Sequence, residues 1–366
     1  MAIWTQRSGR ASRVGAQDRP RPPAALVLGM LGLALLLAFA ASVQFGATGI
    51  GLEALPRLLA SLWFQSDGGT SLQVDRLVLF DIRLPRAVLG ALVGAALGAS
   101  GAVMQGLFRN PLADPGMIGV SAGAALAAVA TIVLGDGVLA FVVAPLGRWA
   151  VPLAGLAGGF GMTALLYAFA TRAGMTSVTT ILLGGVALGA LAGAFTGMLV
   201  FIANDRQLRD LTFWSLGSLS GASWPKIGVL LPFLALGAAC LPALTPVLNA
   251  FLLGETEAFL MGGRVERTKR LAMLAVGSAV GASVSLTGAI GFIGLLVPHL
   301  VRLVCGPDHR IVLPGSALLG GTLLLLSDTA ARTLAAPAEL PVGIVTAAVG
   351  APCFLWLLLR RRHEAP

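Results

Sequence analysis

The sequence predicts an all-α polytopic membrane protein of about ten transmembrane helices. Three observations carry that prediction. Of 366 residues, 57% are hydrophobic and only 11% charged, with mean hydropathy +0.89. Soluble domains carry about 25% charged residues, so this chain lacks the polar material to clothe a soluble core of its size. Its 48 glycines suit helices that must approach closely in lipid, where small residues let backbones touch. The formal charge of +9 is almost all arginine, and the arginines gather at the ends of apolar runs. That is the membrane pattern rather than a nucleic-acid-binding one.

Taken in order, residues 1–23 carry five arginines and several helix breakers and are read as a cytoplasmic basic arm. The apolar run that follows is long and has no clear small-residue cleavage site, so it is read as a first span rather than a cleaved signal. Apolar runs then place spans near 24–46, 86–106, 117–135, 149–170, 178–202, 226–246, 271–289, 292–305, 311–329 and 342–359. They make one transmembrane domain over 24–360, followed by a short tail, 361–366. The eighth span is short and Gly-rich, as helices lining a pathway often are. With the N-terminus inside, most basic residues fall inside, including Arg264, Arg267, Lys269, Arg270 and Arg360–Arg362. Both termini are therefore expected to be cytoplasmic. The segment Val93–Ser100, VGAALGAS, is echoed by Val276–Ser283, VGSAVGAS, in a helix of opposite direction. An inverted repeat would produce that echo; so would chance in a chain rich in Gly, Ala and Val.

The chemistry of the chain is sparse. It has no GxxxxGK[ST] phosphate loop, and neither Lys226 nor Lys269 follows a glycine, so ATP hydrolysis of that kind belongs elsewhere. Proton- or cation-coupled carriers keep ionisable residues mid-membrane. Here Asp114, Asp328 and Glu339 fall at ends or in loops, and Glu53, Asp67, Asp75 and Asp81 in a long outer loop. His299 stands alone in the short eighth span and reads as a packed residue. Cys240, Cys305 and Cys353 have no CxxC spacing and read as small packing residues. No metal-ligand cluster is visible, which disfavours a bare transition ion as cargo. A bulky organic cargo that hides its own charge suits a wide, weakly polar pathway better, with the fifth and eighth spans as its expected walls.

Three local patterns remain. Asn110 and Asp114 can cap the tight turn FRNPLADPG through side-chain hydrogen bonds. The inside loop 252–270, LLGETEAFLMGGRVERTKR, reads as a short helix, Glu255–Met261, stopped by Gly262-Gly263 and followed by a basic stretch. Such a knob could seat a soluble partner, or be an ordinary positive-inside loop. Finally, Arg83 and Arg86 flank Pro85 at the start of an apolar helix, and Arg332 is expected in a short loop on the same outer side.

Several long stretches resemble the permeases of bacterial ABC importers for iron-siderophores, haem and cobalamin. They are RLPRAVLGALVGAALGASGAVMQGLFRNPLADPGMIGVSAGA, LTGAIGFIGLLVPHLVRLVCGPDHRIVLPGSALLGG and LLLLSDTAARTLAAPAELPVGIVTAAVGAPCFLWLLL, in that order from about Leu84 to the last span. The resemblance implies a type II importer permease of the bacterial inner membrane, with ten helices per subunit and a homodimer around a central pathway. It also implies two cytoplasmic ATPase subunits that hold the ATP and Mg, and a periplasmic binding protein that delivers the cargo. On the same ground, Arg83, Arg86 and Arg332 would receive carboxylates of the binding protein, for which a planar guanidinium is well shaped. Glu255, Ala258, Leu260, Gly262 and Gly263 would touch the ATPase, although FLMGG departs from the family's usual Leu-Gly pair. The runs GLFRNPLADPGMIGVSAGAA and WSLGSLSGASW look most like haem permeases, with ferric siderophores and cobalamin as the alternatives. An ion-coupled carrier is the remaining reading from another class.

Overall fold

The computed structural model describes residues 22–46, 70–336 and 338–364. Most of the basic arm, the outer-loop residues Glu53, Arg57 and Asp67, and the last two tail residues lie outside that range. The described chain is helical almost throughout, broken by one short β-hairpin.

The helices run α1 (Ala24–Gln44), α2 (Thr70–Leu77), α3 (Leu84–Leu107), α4 (Val120–Leu134), α5 (Ala140–Leu146), α6 (Ala150–Ala170), α7 (Val178–Ile202), α8 (Asp205–Leu216), α9 (Trp224–Phe251), α10 (Glu255–Leu260), α11 (Val265–Thr287), α12 (Ile293–Cys305), α13 (His309–Leu334) and α14 (Val342–Glu364). Among the described residues seven helical stretches are long and apolar enough to cross a membrane, and three shorter apolar helices, α4, α12 and the apolar part of α14, bring the number to ten. That matches the ten expected spans one for one. The largest difference lies before α3. A π-helical turn, Val78–Arg83, joins α2 to α3, so the helix expected from residue 86 starts at Thr70. Pro85 offers no N–H to the carbonyl of Asp81, and the widened turn stands just before it. Arg332, expected in a loop, lies in the last turn of α13.

Burial divides the spans. About three quarters of the apolar window of α3 and of α11 is inside the protein, and over half of that of α13. By contrast, only 11% is inside for α1 and for α7. Glycine explains the inner group. A Cβ on Gly94 or Gly98 would collide with the carbonyl oxygens of Gly320 and Ser316 in α13, and one on Gly101 with the carbonyl of Gly294 in α12. Bare backbones at these three positions let α3 lie against both neighbours at close range. Around this contact pack Leu89, Val93, Val103, Met104, Val297, Val312 and Leu324, all buried.

The sequence echo falls on equivalent structure. Val93–Ser100 lies in α3 and Val276–Ser283 in α11, the two most enclosed spans. Each long helix ends in a tight turn containing left-handed residues and then a short helix. After α3 these are Arg109 (φ 48°) and Gly119 (φ 76°) before α4; after α11, Gly288 (φ 73°) and Phe292 (φ 68°) before α12. Four spans, α4, α6, α7 and α9, lie between the two helices, so they traverse the bilayer in opposite senses, as an inverted repeat requires.

The turn after α3 is capped as its sequence suggests. The N–H of Leu112 donates to Asn110 Oδ1 at 2.9 Å, and that of Gly116 to Asp114 Oδ1 at 2.7 Å. Burial pushes the Asp114 carboxyl up, against the opposing effect of the Gly116 hydrogen bond. Cys240 and Cys305 are buried free thiols, and His299 is buried within α12.

Candidate functional site

Two polar assemblies stand out, at opposite ends of the spans. At the end expected to face outward, Arg83, Arg86 and Arg332 are brought together but turned inward. Their exposures are 4%, 6% and 5%. Arg86 lies at the centre. Its Nε donates to both Asp328 oxygens at 3.1 Å and its Nη2 to Oδ1 at 2.9 Å. Its Nη1 donates to both oxygens of Glu339 at 3.0 Å. The carboxylate of Asp328 is 1% exposed and also pairs with Arg332 Nε at 3.2 Å. Arg332 Nη2 donates to the carbonyl and hydroxyl oxygens of Ser42, at 2.9 and 3.0 Å. Arg83 Nη1 donates to the carbonyls of Val43 and Gln44, both at 2.9 Å.

The network has a structural logic. Residues 42–44 end α1, and the last carbonyls of a helix have no partner of their own. Two guanidiniums supply them, Arg83 from the π-helical turn before α3 and Arg332 from α13, while Asp328 neutralises the cations between. Such a buried group of charges tolerates loss of a member poorly. The side chain of Glu339 is 44% exposed and is the only solvent-facing carboxylate on Arg86 among the described residues. Sequence reasoning missed Asp328 and Glu339, which it left at ends or in loops without a role. The i,i+4 spacing of Asp328 and Arg332 was a usable signal; the links from Arg86, across 242 and 253 residues, were not.

At the opposite end, α10 is a single helical knob. Leu260 is 78% exposed, and its neighbours Leu253, Phe259 and Met261 are exposed as well. Ala258, grouped with Leu260 in the sequence reading, is fully buried and faces the core. Glu255 is half-exposed but occupied, pairing with Lys269 Nζ at 2.6 Å. Gly262 is left-handed at φ 84° and ends the knob, and Gly263 passes too close to the Ala258 carbonyl to carry a side chain. Leu253, Phe259 and Met261 were not singled out from sequence, since apolar residues in an apolar chain give no contrast.

Between the two ends the described spans form the wall of a membrane permease, with a polar assembly on each face and no phosphate-binding loop in the sequence. That is the arrangement of the transmembrane subunit of a permease. The chain belongs to the FecCD transport family, whose model matches residues 33–360. It is 45% identical over 333 residues to the cobalamin import system permease protein BtuC of Halobacterium salinarum, covering 91% of this chain and 80% of that one. It is 40% identical over 344 residues to the hemin transport system permease protein HmuU of Yersinia pestis, covering 93% and 97%. Among solved structures, it is similar to an inward-facing metal-chelate type ABC transporter, with TM-score 0.76 and 32% identity over 92% of this chain and 99% of that one. It is therefore a multi-pass membrane permease of the ABC importer class.

Proposed function

We propose that two copies of this chain form a gated pathway through the bacterial inner membrane, with both termini in the cytoplasm. A periplasmic binding protein delivers the cargo to the arginine-bearing face. Two ATPase subunits, which hold the ATP and Mg, grip the α10 face. The cargo is haem, in keeping with the hemin permease of Yersinia pestis. Cobalamin is the second reading, favoured by the 45% identity to the Halobacterium cobalamin permease; it shares with haem a broad metal-bearing macrocycle.

The observation that carries the reading is the pairing of a charged outer assembly with an exposed apolar inner knob on a bundle that is otherwise nearly free of polar chemistry. Arg83, Arg86 and Arg332 take part in docking indirectly. A carboxylate arriving on the binding protein meets Arg86 where Glu339 now sits, half in solvent, and takes its place. The exchange keeps Arg86 paired throughout and is weakened by salt. On the inner side Leu260, with Glu255, Gly262 and Gly263 framing the knob and Ala258 anchoring it from beneath, enters a cleft of the ATPase.

The test is reconstitution. Proteoliposomes holding the permease with its ATPase should accumulate haem only with ATP and the binding protein. Accumulation of cobalamin instead of haem would select the second reading. Uphill uptake by the permease alone, without nucleotide or companion proteins, would overturn both and favour an ion-coupled carrier.

A further inference from the structure

The side chain of Lys269 is 3% exposed, yet it carries a full ammonium group near the inner end of the protein. All three of its N–H donors are used. One goes to Glu255 Oε1 at 2.6 Å, on the first residue of α10. The second goes to Glu266 Oε1 at 3.0 Å, one turn earlier in α11. The third goes to the carbonyl oxygen of Thr176 at 2.8 Å. Glu266 closes the circuit, accepting the N–H of Thr176 through its other oxygen at 2.9 Å.

Thr176 closes the hairpin that joins α6 to α7. That hairpin pairs Thr171 with Thr176 and Arg172 with Met175, and turns through Ala173 and Gly174, both left-handed. A two-residue turn with both residues at positive φ gives the twist a tight hairpin needs. The next residue, Ser177, caps α7, its hydroxyl accepting the N–H of Thr180. The lysine therefore joins the knob, the base of α11 and the foot of α7 at one atom. The foot of α7 matters because α7 is among the least enclosed spans, and Gly189, Gly193 and Gly197 meet no neighbour within 4 Å. A helix with so few contacts inside its own subunit can move against that subunit with whatever holds its foot.

We propose that Lys269 is a positioning residue that transmits movement of the α10 knob to the foot of α7. The inference rests on the reading of α10 as the ATPase seat. An ammonium bound to three acceptors on three segments makes them one body, so a push on Glu255 reaches Thr176 without passing through the bundle. Lysine fits because its compact ammonium directs three donors out in three dimensions, whereas the donors of a guanidinium all lie in one plane.

The experiment uses the permease–ATPase complex with its binding protein in proteoliposomes. Three quantities are compared in the wild type, Glu255→Gln, Lys269→Gln and the double variant. They are ATP hydrolysis, haem accumulated per ATP (cyanocobalamin where the wild type prefers it), and the ATP-dependent change in maleimide labelling of an Ala173→Cys reporter. Glu255 is half-exposed, so its variant keeps the fold even where Lys269→Gln lowers the yield. The expected result is cargo per ATP down by at least about fivefold in each variant and the reporter's response to ATP lost, with hydrolysis by Lys269→Gln, which does not face the partner, close to wild type. The double variant should be no worse than Lys269→Gln alone, because both cut one link. The proposal is overturned if cargo per ATP and the reporter response stay at wild-type levels while the ATPase co-purifies. It is equally overturned if Lys269→Gln sheds the ATPase, since the lysine would then only keep the seat in shape. If the ATPase fails to co-purify with the wild type, it is the seat itself that is wrong.

Discussion

Replacing Asp328 with asparagine should be the most damaging isosteric change at the outer end. The carboxylate is 1% exposed and serves two cations, Arg86 through its Nε and Nη2 at 2.9–3.1 Å and Arg332 through Nε at 3.2 Å. Amide substitution keeps the volume and one acceptor but removes the charge and points N–H groups at donors. Two unit charges about 4 Å apart are worth about 4 kcal/mol at an effective dielectric of about 20. Breaking a buried ion pair typically costs about 3–5 kcal/mol. Asp328→Asn should therefore cost about 3–5 kcal/mol, felt as loosening of the contact among α1, α3 and α13. Glu339→Gln removes the other carboxylate on Arg86, but one that is 44% exposed, and should cost at most about 1 kcal/mol. The assay is equilibrium unfolding of the purified permease in mixed micelles, followed by circular dichroism. The reasoning fails if Asp328→Asn lies within about 1 kcal/mol of wild type, or if Glu339→Gln costs as much as Asp328→Asn. In the first case the arginines must find other partners on relaxing; in the second the exposed pair carries the network.

Two further outcomes follow from particular contacts. Gly98→Ala puts a methyl group against the carbonyl of Ser316 and should cost about 1–3 kcal/mol by overpacking. Gly29→Ala, in α1 with nothing within 4 Å, should be neutral or gain up to about 1 kcal/mol from helix propensity; equal effects in the same unfolding assay would contradict the close α3–α13 packing. Asp308 caps α13, and its carboxyl is held below the usual carboxylate range chiefly by the Arg310 N–H, with a further hydrogen bond from Asn249. Because its folded value is depressed, its contribution is complete above the unfolded value near about 4 and disappears as pH falls through the folded value. Asp308→Asn, still a good cap, should remove that acid-side loss while leaving stability at pH 7 little changed. An unaltered acid limb in the variant would assign it to other carboxylates.

The spans were legible in the sequence because lipid forces each crossing to be a long apolar run, and ten runs became ten helices. Their ends were less legible, because a helix does not stop where the lipid does. The helix leading into α3 starts at Thr70 and runs through Gln73, Asp75 and Arg76, and α11 starts at Val265, inside the basic loop. Arg332 was misplaced for the same reason, its polar neighbours Thr329 and Thr333 looking like loop while their hydroxyls bond back to carbonyls of the helix. The arginines illustrate a deeper limit. A charge at the end of an apolar run looks solvent-facing unless its counter-charge is known, and for Arg86 the counter-charges lie far along the chain, on α13 and in the loop that follows it. Lys269 was equally hidden, since only Glu266 of its three partners lies on the same helix. Glycine contacts were visible as composition but not as pairs: that Gly101 faces Gly294 emerges only from the packing.

The division between tight and loose helices bears on how such a subunit could move. α3, α12 and α13 meet through bare backbone, where a slide of even part of a turn would drive carbonyls into α-carbons. Those helices are best regarded as one rigid frame, braced at the outer end by the buried arginine network. Compliance has to reside elsewhere, and α7 is the strongest candidate. Leu183, Val186, Met198 and Phe201 stand out from it, the last 90% exposed, and its glycines leave room for a neighbour. In a proposed dimer that face gains either a second copy or the cargo, and its foot is pinned by Lys269 to the segment the ATPase would grip. Rigid frame, loosely enclosed α7 and a single ionic tether between drive and helix together make a lever whose fulcrum is fixed by glycine. Cutting the tether should leave the frame folded and the motor running, and disconnect only the stroke.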